Sequence, residues 1–355
     1  TLSTRQEMIH LKRVGNLYSE LSDYDLLLEA HKRASKNKNH YEEVIKVNKN
    51  TDFYIQEIQR VLRSKSYEVK STDYIRRDIV DKGKERTLYI LPYYPHRIIQ
   101  WALILVMKDT LNRVFISTSY ASIKGKGQLK ASLDLREALK NKVNTHYLQL
   151  DIKKFYPNIN RSILKEMLRK KFKDKDLLNV LDMIIDTSPG DKGIPLGSLL
   201  SQWLGNFYLT YLDHYIKEDL RVNHYFRYCD DLLILGESRK DLNEVRDLIT
   251  RYLSDNLNLT VKDTYRLRNI HEGIDFVGYV HYRNKTMLRR RNKYSLRRIS
   301  HKLKNKHKSG KLLTDTDRSR ISSYIGWVKY CDCIGLRKTY IDPILKILDS
   351  QDSKV

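Results

Sequence analysis

Two adjacent acidic residues, Asp230 and Asp231, stand in the stretch RYCDDLLIL (residues 227–235), which is otherwise mainly aromatic and aliphatic. Neighbouring carboxylates are costly beside apolar strands unless a positive charge neutralises them. A divalent cation does this, and oxygen ligands favour Mg²⁺, with Mn²⁺ as a substitute. The plainer alternative is a solvated turn, in which Asp is common. The sequence therefore predicts a metal site at this pair, with the solvated turn as the alternative.

A third acid, Asp151, ends the β-rich run YLQLD and is the candidate that would complete this site. Three carboxylates on two adjacent strands can hold two metal ions about 4 Å apart, an arrangement used for in-line phosphoryl transfer. In that reaction one ion activates an attacking 3′ oxygen and the other stabilises the leaving pyrophosphate. We therefore predict that Asp151, Asp230 and Asp231 are the catalytic, metal-binding residues.

The elements that must position these acids can be read from periodicity. The runs THYLQLDI (145–152), HYFRY and LLILGE predict strands, with the acidic pair in the turn between the last two. From Leu200 to Ile216, apolar residues recur at i, i+3, i+4 and i+7, which predicts the clearest helix of the chain. The Gly-rich run GDKGIPLGS leads into this helix.

The N-terminal part predicts helices followed by a hairpin. Residues 1–70 are polar and Lys-rich with helical spacing, and Asp23 can cap the helix that follows it. Residues 71–92 contain two β-like runs, YIRRDIV and RTLYIL, separated by the charged turn DKGKE. Residues 95–116 again predict a helix, and a Gly/Lys-rich loop, SYASIKGKGQ, comes after it.

The composition of the chain limits the kinds of partner that it can bind. Its 355 residues carry a formal net charge of +24, which is costly through self-repulsion unless an anionic partner screens it. Nucleic acid is the first candidate and an anionic membrane surface the second. The sequence contains no run of about 18 apolar residues and no visible signal peptide, which predicts no membrane span. Its three cysteines fit neither a disulfide framework nor a zinc site, so we expect a cytoplasmic protein.

A basic tract carries more than half of the net charge. Residues 283–311 contain 13 Lys or Arg and no Asp or Glu, with helical apolar spacing at Leu296, Ile299 and Leu303. A folded basic helix offers a rigid surface for phosphates, although a merely soluble face is the alternative. We predict that it binds nucleic acid through Arg289, Arg290, Arg291, Lys293, Arg297 and Arg298.

Linked segments in this chain resemble the reverse transcriptases. YCDD resembles their Y-x-D-D signature, LDIKKFYPNI their first catalytic segment, and GIPLGSLLSQWLGNFYLTYLD their glycine loop and helix. NLTVKDT and IDFVGY resemble two later segments, so the order agrees over about residues 70–280. The resemblance implies a right-hand polymerase that uses two Mg²⁺ ions to add deoxynucleoside triphosphates to a DNA or RNA primer on an RNA template.

The same resemblance implies roles for further residues. The backbone carbonyl of Ile152 would add a metal ligand, and Tyr156 would crowd a ribose 2′-OH. Lys84 and Arg86 would hold the incoming triphosphate, and Lys262 would assist departure of pyrophosphate. The nucleotide and templating-base pocket would be lined by Leu196, Gly197 and Gln202. Plain packing of Tyr156 and Leu196, solvation of Lys84 and Arg86, and a simple helix start at Gln202 remain alternatives.

One departure within the family points to a subclass. Group II intron and retron enzymes read Q-G-x-x-x-S-P in the glycine loop, whereas this chain has Leu196 and Gln202 at the first and last positions. This resembles the reverse transcriptases of diversity-generating retroelements, which copy a template-repeat RNA with errors at adenines. Such enzymes work with a small basic helical accessory protein. The alternatives are a group II intron-like or retron-type enzyme with another role, or an inactive nucleic-acid-binding scaffold of polymerase ancestry.

The predicted fold class is α+β, with fingers, an antiparallel palm sheet and a helical basic thumb. We predict an N-terminal helical extension over residues 1–70, fingers and palm over 71–284, and the thumb over 285–355.

Overall fold

The computed structural model describes residues 13–81 and 83–352 and confirms the predicted α+β class. Residues 1–12 of the predicted extension, Lys82 of the predicted turn and residues 353–355 of the predicted thumb lie outside the described residues. The helices are α1 (Leu17–Leu21), α2 (Tyr24–Ser35), α3 (Glu42–Lys49), α4 (Thr51–Arg63), α5 (Ile98–Val114), α6 (Gln128–Ala138), α7 (Phe155–Asn158), α8 (Arg161–Lys171), α9 (Lys175–Asp186), α10 (Leu199–Tyr208), α11 (Thr210–His214), α12 (Arg239–Leu257), α13 (Arg290–Lys308), α14 (Asp315–Val328), α15 (Ile334–Leu336) and α16 (Asp342–Asp352). The strands are β1 (Ile75–Asp81), β2 (Lys84–Ile90), β3 (His146–Asp151), β4 (His224–Tyr228), β5 (Asp231–Gly236), β6 (Arg266–Asn269), β7 (Ile274–Phe276), β8 (Tyr279–His281) and β9 (Thr286–Leu288).

The N-terminal helices α1 to α4 share one core with the elements that follow them. Asp23 caps α2 as predicted, since its side chain accepts a hydrogen bond of 3.0 Å from Leu26 N. Leu27 and Ile58 are fully buried in the same cluster as residues of α5, α8, α9 and α10. These helices therefore support the rest of the fold, while the predicted domain boundaries stay a prediction.

Helix α5 confirms the helix predicted over residues 95–116. Its buried residues lie on every side of the helix, which is typical of a helix inside a core. It packs against α1, α2 and α10. Among the described residues, no helix has the length and apolar character needed to cross a membrane.

The central antiparallel sheet has the strand order β4-β5-β3-β6. The strands predicted around the acids are confirmed, and Leu148 and Leu150 of β3 are buried together with Leu232 and Ile234 of β5. Because side chains alternate along a strand, Gln149 and Asp151 lie on the opposite face of β3 from these leucines. The register places Asp151 opposite Asp231.

The helix predicted from Leu200 to Ile216 is present but interrupted. It ends at Tyr208, resumes as α11, and continues into a wider turn over residues 215–219. The Asn206 carbonyl accepts hydrogen bonds from Thr210 Oγ1 at 3.2 Å and Arg227 Nη2 at 3.4 Å, which compete with the regular helix bond. The predicted apolar face survives this interruption, because Leu204, Leu212 and Ile216 are buried.

Strands β1 and β2 form the predicted hairpin, with Asp81 paired to Lys84. Gly83 takes a φ of 79° in the turn, a left-handed conformation that suits glycine. The base of the hairpin is joined to the glycine loop, because Tyr89 N donates to Leu196 O at 3.2 Å. The hairpin is therefore attached to the loop before α10.

The C-terminal helices are built on a small sheet with the order β7-β8-β9. Tyr279 and Leu288 of this sheet cluster with Leu296 and Leu303 of α13 and with residues of α14 and α16. The predicted basic helix is thus confirmed as α13, with Leu296 and Leu303 buried against the other C-terminal elements.

His281, in β8, gives the protein a predicted acid sensitivity. It is fully buried, and burial, with smaller contributions from Arg136 and Arg289, lowers its pKa to about 4. Unfolded histidine titrates near pH 6.5, so below that pH the unfolded state binds a proton that the folded state does not. We expect His281 to cost up to about 3 kcal/mol of stability as the pH falls from 6.5 to 4.

Urea unfolding of wild type and His281→Gln between pH 7.5 and 4.5 tests this expectation. The free-energy difference between the two proteins should change in favour of the variant as the pH falls. A difference that stays constant over this range would show that His281 does not titrate as proposed.

Candidate active site

The three predicted acids meet at the carboxyl end of β3 and the turn between β4 and β5. Tyr228 pairs with Asp231, so Cys229 and Asp230 form a two-residue turn, and Asp231 is the first residue of β5 rather than part of the turn as predicted. Cys229 has a φ of 60°, the left-handed conformation that such hairpin turns require. Ile152 N donates to Asp230 O at 3.4 Å, which ties the turn to the end of β3. Local turn geometry and strand register together bring Asp230 and Asp231 beside Asp151.

Burial and mutual repulsion raise the pKa values of two of these carboxylates, Asp230 and Asp231. The pKa of Asp231 is raised to about 7, mainly by burial; the hydrogen bond from Gln149 opposes this rise, the charges of Asp230 and Asp151 add to it, and Arg289 lowers it. Burial, followed by the charge of Asp151, also raises the pKa of Asp230. A site with these properties favours a cation, because a cation stabilises the charged forms.

Lys262 supplies such a positive charge in this structure. Its Nζ lies 2.5 Å from Asp151 Oδ1, and its backbone N donates to Asp151 O at 2.8 Å. The backbone bond fixes Lys262 beside the end of β3, as the sequence predicts for a residue of the site. Both side chains remain partly exposed, at 34% and 45%, so the contact is open to substrates from the cleft.

The donor atoms fit a hard divalent cation in their chemistry. Asp151, Asp230 and Asp231 offer carboxylate oxygens, the ligands that Mg²⁺ and Mn²⁺ prefer. Lys262 and Gln149 now engage two of these carboxylates, and within residues 13–81 and 83–352 no group of three or more His, Cys, Asp or Glu is arranged to hold a metal. The carbonyl of Ile152 stays a predicted ligand; the residue itself is fully buried.

A large cleft opens over Asp151 and Asp231, whereas Asp230 is not among the residues that line it. It has a volume of about 1240 Å³ and reaches from β2 to the start of α13. Basic side chains dominate its lining together with the acids. The predicted site residues that line it are Lys84, Asp151, Asp231, Lys262, Arg289, Arg290, Arg291 and Arg298. The cleft therefore joins the acids to a surface that suits a polyanion.

The glycine loop packs against the hairpin and the segment after Asp151, and Leu196, Gly197 and Gln202 are not among the residues that line the cleft. Gly197 has a φ of 111°, and a Cβ there would touch Leu88 and Ile90 of the hairpin. Further back, Gly193 has a φ of 83°, and a Cβ there would lie 2.6 Å from Pro157 O, so no larger residue fits. These contacts fix Leu196 and Gly197 between the hairpin and the segment that follows Asp151.

Arg161 also holds this loop, and the sequence gives no signal for it. Its guanidinium donates to backbone carbonyls along residues 186–193, including Gly193 O at 2.8 Å and Ser188 O at 2.6 Å. The partners lie 25 to 32 positions away along the chain, so no local pattern marks them. Arg161 therefore fixes the backbone of the segment that leads to Leu196.

Residues 70–280 match the reverse transcriptase (RNA-dependent DNA polymerase) family. This range is more than half of the 355-residue chain. The chain belongs to the reverse transcriptase family. The matched range ends inside β8 and contains the three acids, the glycine loop and Lys262.

Known proteins share parts of this reverse transcriptase at low identity. A Saccharomyces cerevisiae protein described as a COX1/OXI3 intron 2 protein is 22% identical, over 38% of this chain and 23% of its own length. The chain thus spans about a quarter of that curated relative. Apo telomerase from Candida tropicalis, truncated from its C-terminal domain, has a TM-score of 0.48 at 13% identity, covering 64% of this chain and 58% of that one. Telomerase from Candida tropicalis with the TWJ fragment of telomeric RNA has a TM-score of 0.46 at 15% identity, covering 63% and 46%.

Of the predicted nucleotide-site residues of this reverse transcriptase, Tyr156 packs against α10 and Gln202 belongs to α10. The Tyr156 ring would be only 3.0 Å from a Cβ at Gly205, and its hydroxyl lies 3.2 Å from Cys229 Sγ. Gln202 accepts a hydrogen bond from Ser122 Oγ at 2.7 Å, so its side chain is directed to the loop before α6. Both side chains have fixed partners, and their roles toward a nucleotide stay predictions.

The predicted basic residues divide into distinct groups. Arg291 and Arg298 lie on one face of α13 at helical spacing, and Arg290 stacks on Tyr294 at 5.4 Å from the ring centre. Lys293 and Arg297 are exposed but are not among the residues that line the cleft. In the hairpin, Arg86 pairs with Asp81 at 3.4 Å and also lies outside that lining. The roles of these three residues stay predictions.

Arg289 has a partner that the sequence does not reveal. Its Nε donates to Asp275 Oδ1 of β7, so its guanidinium is not simply available for phosphates. Its backbone N donates to Gly278 O at 3.1 Å, and it immediately precedes α13. Arg289 therefore fastens the start of the basic helix to the β7–β9 sheet.

A fully buried ion pair lies under the turn that carries the acids. Arg227 and Asp213 are each 0% exposed and share two hydrogen bonds, of 2.7 Å through Nε and 2.6 Å through Nη2. Tyr225 OH also donates to Asp213 at 2.7 Å, and Arg227 Nη1 donates to Cys229 O at 3.1 Å. This network holds Cys229, the turn residue next to Asp230. No sequence pattern predicted the network.

Proposed function

We propose that this chain is an RNA-directed DNA polymerase that extends a primer 3′ end with deoxynucleotides. The observation that carries the proposal is the register of Asp151 opposite Asp231 in a cleft lined by basic residues from β2 and α13, with Asp230 in the adjoining turn. Membership of the reverse transcriptase family supports it. In the reaction the primer 3′ oxygen bonds to the α-phosphorus, and the bond from that phosphorus to pyrophosphate breaks.

The carboxylates would hold the divalent ions of this reaction, which we propose to be Mg²⁺ with Mn²⁺ as a substitute. Bound ions would supply positive charge that lowers the pKa of the primer hydroxyl and offsets charge on pyrophosphate. Asp151, Asp230, Asp231 and the carbonyl of Ile152 would bind them. Lys262, in contact with Asp151, would place a further positive charge beside the departing pyrophosphate.

The remaining residues would bind and select the nucleotide. Lys84 extends into the cleft from the hairpin and would contact the triphosphate, with Arg86 nearby on the same strand. Tyr156, held by Cys229, would exclude a ribose 2′-OH. Leu196, Gly197 and Gln202 would border the base pair. A templating RNA would follow the basic side of the cleft.

RNA-templated primer extension tests this function. The purified chain, a labelled DNA primer on an RNA template, Mg²⁺ and the four deoxynucleoside triphosphates should give cDNA of template length. An inactive scaffold of polymerase ancestry would bind the template and primer without extending the primer. That outcome would contradict the proposal while leaving the family unchanged.

We expect the cleft-lining arginines to dominate the salt dependence of binding. Replacing Arg290, Arg291 and Arg298 by Gln should weaken template–primer binding, because each arginine can neutralise a phosphate. The slope of log K against log salt should fall by about 1 for each neutralised phosphate that the substitutions remove. Fluorescence anisotropy across a salt series measures this slope.

The matched comparison is Lys293→Gln with Arg297→Gln, on the same helix but outside the cleft lining. This pair should change the slope less for each charge removed. An equal change per charge would mean that the nucleic acid follows a different face of α13.

Within this function we propose the diversity-generating subclass. Support comes from Leu196 and Gln202, which resemble the glycine loop of those enzymes. The template would then be a template-repeat RNA copied with errors at adenines, the partner a small basic helical accessory protein, and the location the cytoplasm. A group II intron-like or retron-type role is the alternative, and accurate copying of adenine would favour it.

The fidelity prediction concerns Leu196, whose aliphatic side chain cannot hydrogen-bond to the nascent base pair. Leu196→Gln, alone or with Gln202→Pro, is expected to lower misincorporation opposite adenine about tenfold, because about 1.4 kcal/mol of added discrimination has that effect. Sequencing of cDNA from a defined RNA template measures the error rate at each base.

Gln202→Pro also removes the bond of 3.3 Å from Gln202 N to Ser198 O, so Gln202→Ala is the control for the side chain alone. If the wild type copies adenine as accurately as the other bases, the diversity-generating proposal loses its basis. The polymerase proposal would survive, since it depends on the carboxylates.

A further inference from the structure

Gln149 makes a chain of contacts that the polymerase reaction alone does not explain. It lies two residues before Asp151 on β3, so both side chains are on the same face of the strand. Its Nε2 donates to Asp231 Oδ1 at 2.9 Å, to Asp231 Oδ2 at 3.2 Å and to Asp275 O at 3.2 Å. These three acceptors fix the side-chain nitrogen, because only a donor can serve them.

The same contacts continue to the basic helix. Asp275, whose backbone carbonyl accepts from Gln149, binds the Arg289 guanidinium through its carboxylate. Arg289 immediately precedes α13, which carries Arg290, Arg291 and Arg298 into the cleft. A continuous path therefore runs from a catalytic carboxylate to the start of the helix proposed to contact nucleic acid.

Only the donor end of the Gln149 amide has hydrogen-bond partners among the described residues. Its Oε1 atom is buried and has no hydrogen-bond partner among the residues that the structure describes. An unpaired buried acceptor costs about 1–3 kcal/mol, which an apolar side chain of the same size would avoid. The donor end of the amide, which binds both oxygens of Asp231, points to a role of Gln149 at the site.

We propose that Gln149 is a positioning residue that orients the Asp231 carboxylate for metal binding, and that Asp275 and Arg289 couple this orientation to the seating of the basic helix. Gln149 lines the cleft, and in this proposal it acts through its hydrogen bonds to Asp231. Hydrogen bonds to metal-binding carboxylates set ligand orientation, and their loss costs about 10–100-fold in metal affinity or activity. The kinetic part of this inference rests on the proposed polymerase function, whereas the metal-binding part does not.

The test uses Gln149→Met, which keeps the size of the side chain and removes its donor. Its matched control is Gln59→Met, at a half-buried glutamine on α4 that donates a bond of 2.9 Å to Ser22 O far from the site. Mn²⁺ binding to the full chain is followed by electron paramagnetic resonance, and single-turnover incorporation gives the maximal rate and the apparent nucleotide affinity. Anisotropy gives the template–primer affinity.

We expect Gln149→Met to weaken Mn²⁺ binding and to lower the maximal rate, each about tenfold or more. Template–primer affinity should change less than about twofold, because the phosphate contacts are intact. Gln59→Met should leave all three quantities unchanged. Wild-type Mn²⁺ affinity in Gln149→Met would overturn the proposal, even if the rate falls. If the wild type extends no primer, the proposed function fails, and the Mn²⁺ measurement still decides the role of Gln149.

A double-mutant cycle tests the coupling to the basic helix. Arg289→Met should lower the rate, with a smaller change in the salt slope of binding than Arg298→Met gives. Combined with Gln149→Met, it should add little further loss of rate, because both changes break one path. If the two losses of rate simply multiply in the double variant, Gln149 and Arg289 act independently and the coupling is wrong.

Discussion

The Asp151→Asn variant is expected to incorporate nucleotides at least about a thousandfold more slowly than the wild type, a loss of about 4 kcal/mol of transition-state stabilisation. Asn has nearly the same size as Asp but lacks the negative charge that a divalent ion requires. The fold should persist, because the Lys262–Asp151 contact is partly exposed and such pairs contribute about 0–1 kcal/mol. Single-turnover incorporation on an RNA template gives the rate.

Template binding separates loss of chemistry from loss of substrate. Affinity for the template–primer should stay within about twofold of wild type in Asp151→Asn, since phosphate contacts come from basic residues of the cleft. Asp255→Asn, at an exposed position of α12, is the matched control and should behave like wild type. A near-normal rate in Asp151→Asn would remove this residue from the proposed metal site.

The buried pair of Arg227 and Asp213 should carry the second large effect, on stability. Asp213→Asn leaves the Arg227 guanidinium, which is 0% exposed, without its charge partner. Removing one member of a buried ion pair costs about 3–5 kcal/mol. Because Arg227 also donates to the carbonyl of Cys229, the variant should lose polymerase activity as well as stability. Urea unfolding and primer extension measure these two quantities.

Asp247→Asn is the control for this stability prediction. Asp247 pairs with Arg246 at 2.7 Å, but its side chain is 66% exposed, so the same chemical change should cost at most about 1 kcal/mol. Equal destabilisation by Asp213→Asn and Asp247→Asn would mean that burial of the Arg227 pair adds nothing to stability.

The catalytic acids could be predicted from sequence because their signals are local. Alternation of Leu148 and Leu150 with polar neighbours marks β3, and the adjacent acids Asp230 and Asp231 interrupt an apolar hairpin. Asp151 and Asp231 then meet through strand register. The same alternation places Gln149 on the face of β3 that carries Asp151, so its position could be predicted from sequence. Its hydrogen bond to Asp231 could not.

Other features depend on contacts between distant parts of the chain. Asp213 looks like an ordinary polar residue of an amphipathic helix, and its buried partner Arg227 lies on a different element. Arg227 also donates to the Asn206 carbonyl and, with Thr210, competes for the helix bond where the predicted long helix is interrupted near Leu209. The role of Arg289 could be predicted only in part. Its charge predicts phosphate binding, whereas its guanidinium donates a hydrogen bond to Asp275. Periodicity cannot report such pairings.

Addition of one deoxynucleotide to a DNA primer annealed to RNA is the most direct measurement of the central proposal. The wild-type chain, with Mg²⁺ and each deoxynucleoside triphosphate supplied alone, should lengthen the primer by one residue only when the nucleotide is complementary to the RNA base. Chelation of Mg²⁺ by EDTA, or Asp230→Asn, should abolish this addition while the template–primer stays bound. A chain that binds the template–primer in Mg²⁺ but adds no complementary nucleotide would contradict the account.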